Sequence, residues 1–176
     1  MSKVFGLTER YSLIDTSGSK TLVNYGIEHV DEKNSTWHEV SFLKAHGELP
    51  NINDVKEAII NDINNDTDAK ILSGFVWNGI NVWLSEENQR NFSEAQRMAE
   101  KYGEAVLPLR FKLGEDSEGN PVYHTFETVA ELDAFFIQAF SFVNQCLNEG
   151  WAKKDNFDWK PYEELLPNPD LPISEL

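Results

Sequence analysis

The sequence contains a single cysteine, Cys146, among 176 residues, which excludes an internal disulfide and argues against a small secreted domain. Its N-terminus lacks the apolar stretch of a secretory signal peptide, so we expect no secretion by that route. No segment approaches the roughly 20 consecutive apolar residues of a membrane-spanning helix. We therefore expect a protein that is neither exported by a signal peptide nor inserted in a membrane.

Basic residues are also scarce. Fifteen Lys and Arg stand against 30 Asp and Glu, which gives a formal net charge of −15 at pH 7. Nucleic-acid binding needs clustered Lys and Arg that displace counterions, and an anionic membrane surface repels an acidic chain. We therefore expect neither nucleic acid nor membrane as a partner. The charge indicates solubility through self-repulsion, or an acidic patch for a basic partner.

Motifs of catalysis are missing as well. The sequence has no HExxH, CxxC, GxSxG, GxGxxG or phosphate-binding loop. His29 and His38 lie on neighbouring expected strands, but zinc needs three or four converging ligands, and Cys146 lies on a distant helix. We therefore expect a non-enzymatic protein without catalytic, cofactor-binding or metal-binding residues and without a cofactor.

One acidic segment imitates a calcium loop. "DINNDTD" (Asp62–Asp68) spaces Asp and Asn two residues apart, but Thr67 and Ser73 stand where an EF-hand needs Gly and Glu. We interpret this segment as the polar end of a helix followed by a turn.

Aromatic residues, in contrast, are abundant, with eleven Phe and five Trp. In "GFVWNGINVWL" two apolar runs flank Asn78-Gly79, the dipeptide that favours a two-residue hairpin turn of type I′. Such a turn places four apolar residues on one face, by pairing Trp77 with Ile80 and Phe75 with Val82. We interpret this face as core.

The N-terminal third of the chain is rich in strand-forming residues. Strands are expected over Thr21–Val30 and Ser35–Ala45, with a weaker one over Lys3–Leu7 and a turn at Asp15–Lys20. A short helix, capped by Asn53 or Asp54, is expected to follow and to end in the polar segment after Ile63. The next strand is expected over Ile71–Trp77, leading into the hairpin turn.

Two further helices and a second hairpin are expected beyond the first hairpin. Ser85 has the position of an N-cap, and Phe92, Ala95, Ala99 and Tyr102 form an apolar stripe that ends before Gly103. The second hairpin pairs Val106–Leu113 with Val122–Phe126, and Pro108 indicates an edge or bulge. Thr128 and Glu131 form a capping box before a strongly apolar helix that is expected to be buried and to end at Gly150.

These elements predict an α+β fold, with antiparallel β hairpins packed against two or three helices and an N-terminal β region. We divide the chain into an N-terminal β region (residues 1–50), an α+β core domain (51–150) and an acidic, aromatic and Pro-rich tail (151–176). The expected core and turn residues are Gly74, Phe75, Trp77, Asn78, Gly79, Trp83, Phe135, Phe136 and Phe140.

The tail carries four aromatic residues outside this core: Trp151, Phe157, Trp159 and Tyr162. They either fold back over the sheet or anchor another chain, since Trp and Tyr dominate interface hot spots. Both interpretations remain open at this point, and the four residues are the candidate partner-binding residues.

A resemblance at Asp68–Lys154 is carried by three segments, the last of which continues to Phe157: "ILSGFVWNGINVWLSEENQRNF", "AVLPLRFKLGEDSEGNPVYHTFETVAEL" and "FVNQCLNEGWAKKDNF". They resemble an uncharacterised phage and prophage family (a domain of unknown function) that is encoded in tail-fibre and tail-assembly gene regions. The N-terminal "GLTERY", "NYGIEHV" and "TWHEVSF" are similar to a companion region in phages of gut bacteria. The resemblance implies a virion part or a factor that helps to build one, and no catalytic residue.

We therefore expect a non-enzymatic phage virion or tail-associated structural protein that acts through protein–protein contacts. Its expected partners are other phage tail or virion proteins, or further copies of itself, in the virion or in the cytoplasm of the infected bacterium. One alternative is a tail or tail-fibre assembly chaperone that is absent from the mature particle. A second is a carbohydrate-binding module, which requires Trp77, Trp83 or Trp37 to be exposed.

Overall fold

The structure is a computed structural model that describes residues 3–45 and 48–166. Antiparallel strands and helices make it an α+β fold, as the sequence predicts. The strands are β1 (Lys3–Leu7), β2 (Ile14–Ser17), β3 (Lys20–His29), β4 (Asn34–Leu43), β5 (Phe75–Trp77), β6 (Ile80–Val82), β7 (Leu109–Glu115) and β8 (Pro121–Phe126). The α-helices are α1 (Ile52–Ser73), α2 (Glu86–Tyr102), α3 (Val129–Asp155) and α4 (Lys160–Glu163), and short 3-10 helices cover Thr8–Arg10 and Gly103–Val106.

The chain divides into two compact units. The first unit contains the residues up to Asp66 and those from Lys153 onward, and the second unit contains Thr67–Ala152. Helices α1 and α3 contribute residues to both units. The units do not coincide with the expected divisions at residues 50 and 150, because their boundaries lie after Asp66 within α1 and after Ala152 within α3. Among the described residues, no helix combines the length and the apolar character that crossing a membrane requires.

The first unit is built on a four-stranded antiparallel sheet in the order β1-β4-β3-β2. The strands expected over Thr21–Val30, Ser35–Ala45 and Lys3–Leu7 are confirmed as β3, β4 and β1 to within two residues at each end. The turn expected at Asp15–Lys20 is wrong for its first half, since Asp15–Ser17 belongs to β2 and pairs with β3. This edge strand is almost wholly exposed, so its residues are polar and have the composition of a turn.

Helix α1 is much longer than the sequence indicates. Its first turn is capped by Asn51, whose Oδ1 accepts hydrogen bonds from the backbone N–H groups of Asn53 (2.9 Å) and Asp54 (3.2 Å), so neither expected cap is right. The helix continues through the polar segment Asp62–Asp68 and includes Ile71–Ser73, which were expected to be a turn and a strand. Buried apolar residues on both sides of the polar segment explain why it stays helical.

The first hairpin of the second unit forms as predicted. Trp77 pairs with Ile80 and Phe75 with Val82, and the turn has positive φ at Asn78 (49°) and Gly79 (77°). Phe75, Trp77 and Val82 are buried in the core of this unit, and Ile80 packs against it.

Helix α2 and the second hairpin follow the prediction with two differences. The Ser85 hydroxyl caps α2 by accepting a hydrogen bond from the Asn88 N–H, and Gly103 ends the helix at φ 63°. Tyr102 is exposed, although it was expected in the apolar stripe. Strand β7 begins at Leu109 and not at Val106, since Val106 belongs to the preceding 3-10 helix.

Helix α3 begins as predicted but extends beyond its predicted end. Its start is capped as expected: the Glu131 N–H donates to Thr128 Oγ1, while the Glu131 carboxylate accepts from the N–H of Glu127. The helix passes Gly150 and ends at Asp155. Gly150 is buried, and a Cβ there would lie 2.5 Å from Thr67 Oγ1, so this glycine serves close packing and does not end the helix.

Candidate functional site

The hairpin residues Phe75, Trp77 and Val82 belong to the core of the second unit. The Trp77 ring packs edge-to-face against Phe135 at 5.1 Å and lies 5.6 Å from Phe126. Gly74 allows a close approach, since a Cβ there would lie 2.5 Å from the Lys70 carbonyl oxygen. Trp83 was expected in the core but is 36% exposed, and the Lys112 ammonium lies 5.2 Å from its ring centroid.

The second unit has an apolar groove between α2 and α3. Its volume is about 500 Å³. Most of the side chains that line it are apolar, which is typical of surfaces that receive a ligand or a protein segment. The apolar lining comes from Leu84, Phe92, Phe136, Ala139, Phe140, Val143 and Leu147, and the polar lining from Glu86, Gln89, Arg90, Ser93 and Asn144.

Helix α3 carries two unusually exposed apolar residues, Ile137 and Phe140, of which Phe140 lines the groove. Phe140 is 60% exposed and Ile137 is 62% exposed, whereas Phe135 on the same helix is fully buried. The Phe136 and Phe140 rings stack with centroids 6.1 Å apart. The expectation that Phe140 belongs to the core is therefore corrected. Large apolar side chains in a contiguous exposed patch mark interaction surfaces more often than isolated ones do.

The tail aromatics divide into one exposed and three packed residues. Tyr162 is buried, and its hydroxyl donates a 2.7 Å hydrogen bond to the Asn24 carbonyl oxygen of β3. Phe157 and Trp159 pack against the core of the first unit, with their ring centroids 4.2 Å apart. Trp151 belongs to α3 and is 51% exposed. Three of the four candidate partner-binding residues thus fold back.

Of the three tryptophans of which a carbohydrate-binding module would need at least one to be exposed, two are inaccessible. Trp37 and Trp77 are 5% and 4% exposed. Only a partly exposed Trp83 remains of that set, so no platform of exposed indole rings forms among these three residues.

A second feature of interest, the His38 cluster, lies in the first unit and consists of His38, Asp62 and Asp66. Asp62 and Asp66 are one turn apart on α1 and therefore project from the same side of the helix. His38 comes from β4, and its Nδ1 lies 3.7 Å from Asp62 Oδ2 and 3.9 Å from Asp66 Oδ2. All three side chains are half-buried.

Tyr25 holds two members of the His38 cluster in place. It is paired directly opposite His38 in the sheet, and the two rings stack with centroids 4.9 Å apart. Its hydroxyl donates a 2.7 Å hydrogen bond to Asp62 Oδ2. Burial, and then the neighbouring Asp62 and Asp66 carboxylates, raise the pKa of Tyr25 well above its usual range, so the phenol stays protonated as a donor.

The other polar candidates do not converge in this way. His29 Nδ1 lies 3.0 Å from Ser35 Oγ, and His124 Nε2 lies 2.8 Å from Glu131 Oε1. His46 lies outside the described residues. Burial raises the pKa of the Cys146 thiol, which is in the core of the second unit and has no character of a reactive cysteine.

In the sequence, His38 and the Asp62–Asp68 segment belong to separate motifs, and no local pattern brings them together. The spacing of Asp62 and Asp66 by four residues was the available signal, but it applies only when the segment is helical. The exposure of Phe140 had no signal, because apolar residues cover more than half of the circumference of α3.

The comparisons with known proteins identify a family and no close relative. No curated protein and no solved structure matches the chain. A family model matches residues 54–166, which is more than half of the chain. The matched range begins in α1 and ends after α4, so it includes the groove, Asp62 and Asp66 but not His38. The chain thus belongs to the family described as domain of unknown function DUF4376.

Proposed function

We propose that this chain is a non-enzymatic, tail-associated phage protein that acts through protein–protein contact, and that the α2/α3 groove is its contact surface. The observation that carries the proposal is the exposure of Phe140 and Ile137 beside an apolar groove, on a helix whose opposite side is core. Exposing such side chains has a free-energy cost in water that a partner would remove.

The occupant is an amphipathic helical segment of another tail protein with basic residues beside its apolar anchors. The groove between two helices suits apolar anchors three or four residues apart on one helix face. The net charge of −15 favours Lys and Arg around those anchors, since complementary charge accelerates association and selects the partner.

The phage context rests on the resemblance of the three quoted segments to proteins encoded in tail gene regions. The region of resemblance overlaps the part of the chain that matches the family model. No similar resemblance supports an enzymatic role. The residues that line the groove do not include a pair of titratable groups suited to acid–base catalysis.

Site-specific cross-linking tests the contact surface. A photoreactive phenylalanine analogue replaces Phe140 in one variant and Phe5 in a matched control, since these side chains are 60% and 63% exposed. Irradiation during phage production is expected to link position 140 to a basic helical segment of one tail protein. A link of equal strength at position 5, or none at position 140, contradicts the proposal.

Mass spectrometry of purified particles separates the two modes of action. A structural tail component remains in the finished particle at a fixed ratio to the other tail proteins. An assembly chaperone is cross-linked during production but absent from finished particles. The second result would keep the contact surface and replace the structural role.

A further inference from the structure

We propose that His38, Asp62 and Asp66 in the first unit bind a divalent transition-metal ion of the zinc type. Each residue offers one ligand atom, and these atoms lie within 4.8 Å of one another. The ligands come from two elements, with His38 on β4 and the two aspartates one turn apart on α1. This inference concerns a different unit from the groove and does not depend on the proposed function.

The Nδ1 atom of His38 is the second observation that indicates a ligand. It is shielded from solvent, and no described residue offers it a hydrogen bond. The Asp62 and Asp66 oxygens, at 3.7 and 3.9 Å, are beyond hydrogen-bonding distance. A shielded nitrogen with hydrogen-bonding capacity but no bond costs free energy, which a ligand in the space between these three atoms removes.

The separations suit a metal ion better than direct contact. Two ligands of a tetrahedral zinc ion, each about 2.1 Å from the metal, lie roughly 3.4 Å apart. The separations of 3.7 and 3.9 Å exceed this by a few tenths of an ångström, which small side-chain rotations would close.

The donor set selects the type of ion. One imidazole nitrogen and two carboxylate oxygens are ligands that zinc and its neighbouring transition metals accept, whereas calcium and magnesium prefer oxygen ligands throughout. The Asp62 and Asp66 carboxylates supply two negatively charged ligand oxygens, which favours a divalent cation. Three protein ligands leave a fourth position of zinc open to water.

Tyr25 and a neighbouring cleft complete the arrangement. The Tyr25 hydroxyl holds Asp62 at 2.7 Å, in the way that hydrogen bonds orient carboxylate ligands around metals. The β3–β4 register shifts between Tyr25 and Glu28, a type of irregularity that often redirects side chains near binding sites. Of the three ligands, Asp62 also lines a polar cleft of about 510 Å³ between β4 and α1.

Titration calorimetry with zinc chloride on the protein without a purification tag tests the site. We expect one zinc ion per chain, with affinity reduced more than about 100-fold in His38→Gln and Asp66→Asn and roughly tenfold in Tyr25→Phe. The matched controls His29→Gln and Asp68→Asn are expected to bind as the wild type does. Circular dichroism of each variant checks that it is folded.

A second measurement needs no variant. Nitrogen NMR of the wild-type imidazole rings is expected to show a large zinc-dependent shift at Nδ1 of His38 and none at His29. The competing arrangement is a protonated His38 held between two carboxylates without a metal. Absence of zinc binding by the wild type, or unchanged binding in folded His38→Gln and Asp66→Asn, overturns the proposal.

Discussion

The indole of Trp77 meets the ring of Phe135 edge-to-face, with centroids 5.1 Å apart and an interplanar angle of 81°. This contact joins the β5–β6 hairpin to α3 inside the second unit. Aromatic pairs in this geometry contribute about 0.5–1.5 kcal/mol beyond the burial of their area. The hairpin turn positions Trp77 in the core of this unit, so we expect a change in the turn to lower the stability of the unit.

Gly79→Ala is expected to destabilise the protein by about 1–2 kcal/mol, because φ at this position is 77° and a Cβ raises the energy of a left-handed backbone. No atom lies within 4 Å of that Cβ, so the loss reports backbone strain alone. Gly79→Asn is the matched control and is expected to lose less, since Asn tolerates this conformation. Urea unfolding measures both, and equal losses would contradict the explanation.

Gly150→Ala is expected to lower the free energy of unfolding by about 1–3 kcal/mol, because its Cβ would overlap Thr67 Oγ1. The same change in a Thr67→Ala background is expected to be neutral, or stabilising by up to about 1 kcal/mol, since alanine favours a helix interior over glycine. Thermal or urea unfolding of the four proteins measures this coupling. An equal loss in both backgrounds would show that the overlap does not set the cost.

Tyr162→Phe is expected to lower stability by about 1 kcal/mol, because it removes the hydrogen bond from the hydroxyl to the Asn24 carbonyl oxygen at 2.7 Å. Tyr123→Phe is the matched control, since that side chain is 49% exposed and should change stability by less than about 0.5 kcal/mol. Unfolding in urea compares them. No difference between the two variants would mean that the C-terminal aromatic segment is not folded back as described.

The sequence correctly predicts a turn and a helix cap, because short-range interactions determine both. The turn at Asn78-Gly79 and the Ser85 cap each depend on a few adjacent residues, and the structure has both. The length of α1 was missed because its polar middle, Asp62–Asp68, stays helical through the burial of Ile59 before it and Ile71 after it, which depends on tertiary packing.

The two candidate sites were missed for related reasons. Bringing His38 against Asp62 and Asp66 requires the position of α1 on the sheet, which no local pattern specifies. The exposure of Phe140 depends on which side of α3 its neighbours leave uncovered. Glycine often ends helices, which is why the sequence predicts an end at Gly150. Here the glycine is needed for close packing against Thr67, which is distant in sequence.

If the proposed function is right, its most direct test is the infectious titre of a phage that encodes this chain, complemented with Phe140→Glu or Phe5→Glu. Both substitutions place the same charge at a phenylalanine of similar exposure, 60% and 63%, so their effects on folding should be alike. We expect Phe140→Glu to reduce the titre strongly, with defective tails by electron microscopy, and Phe5→Glu to leave it unchanged. Equal titres from the two variants would contradict a role for the α2/α3 groove in tail assembly.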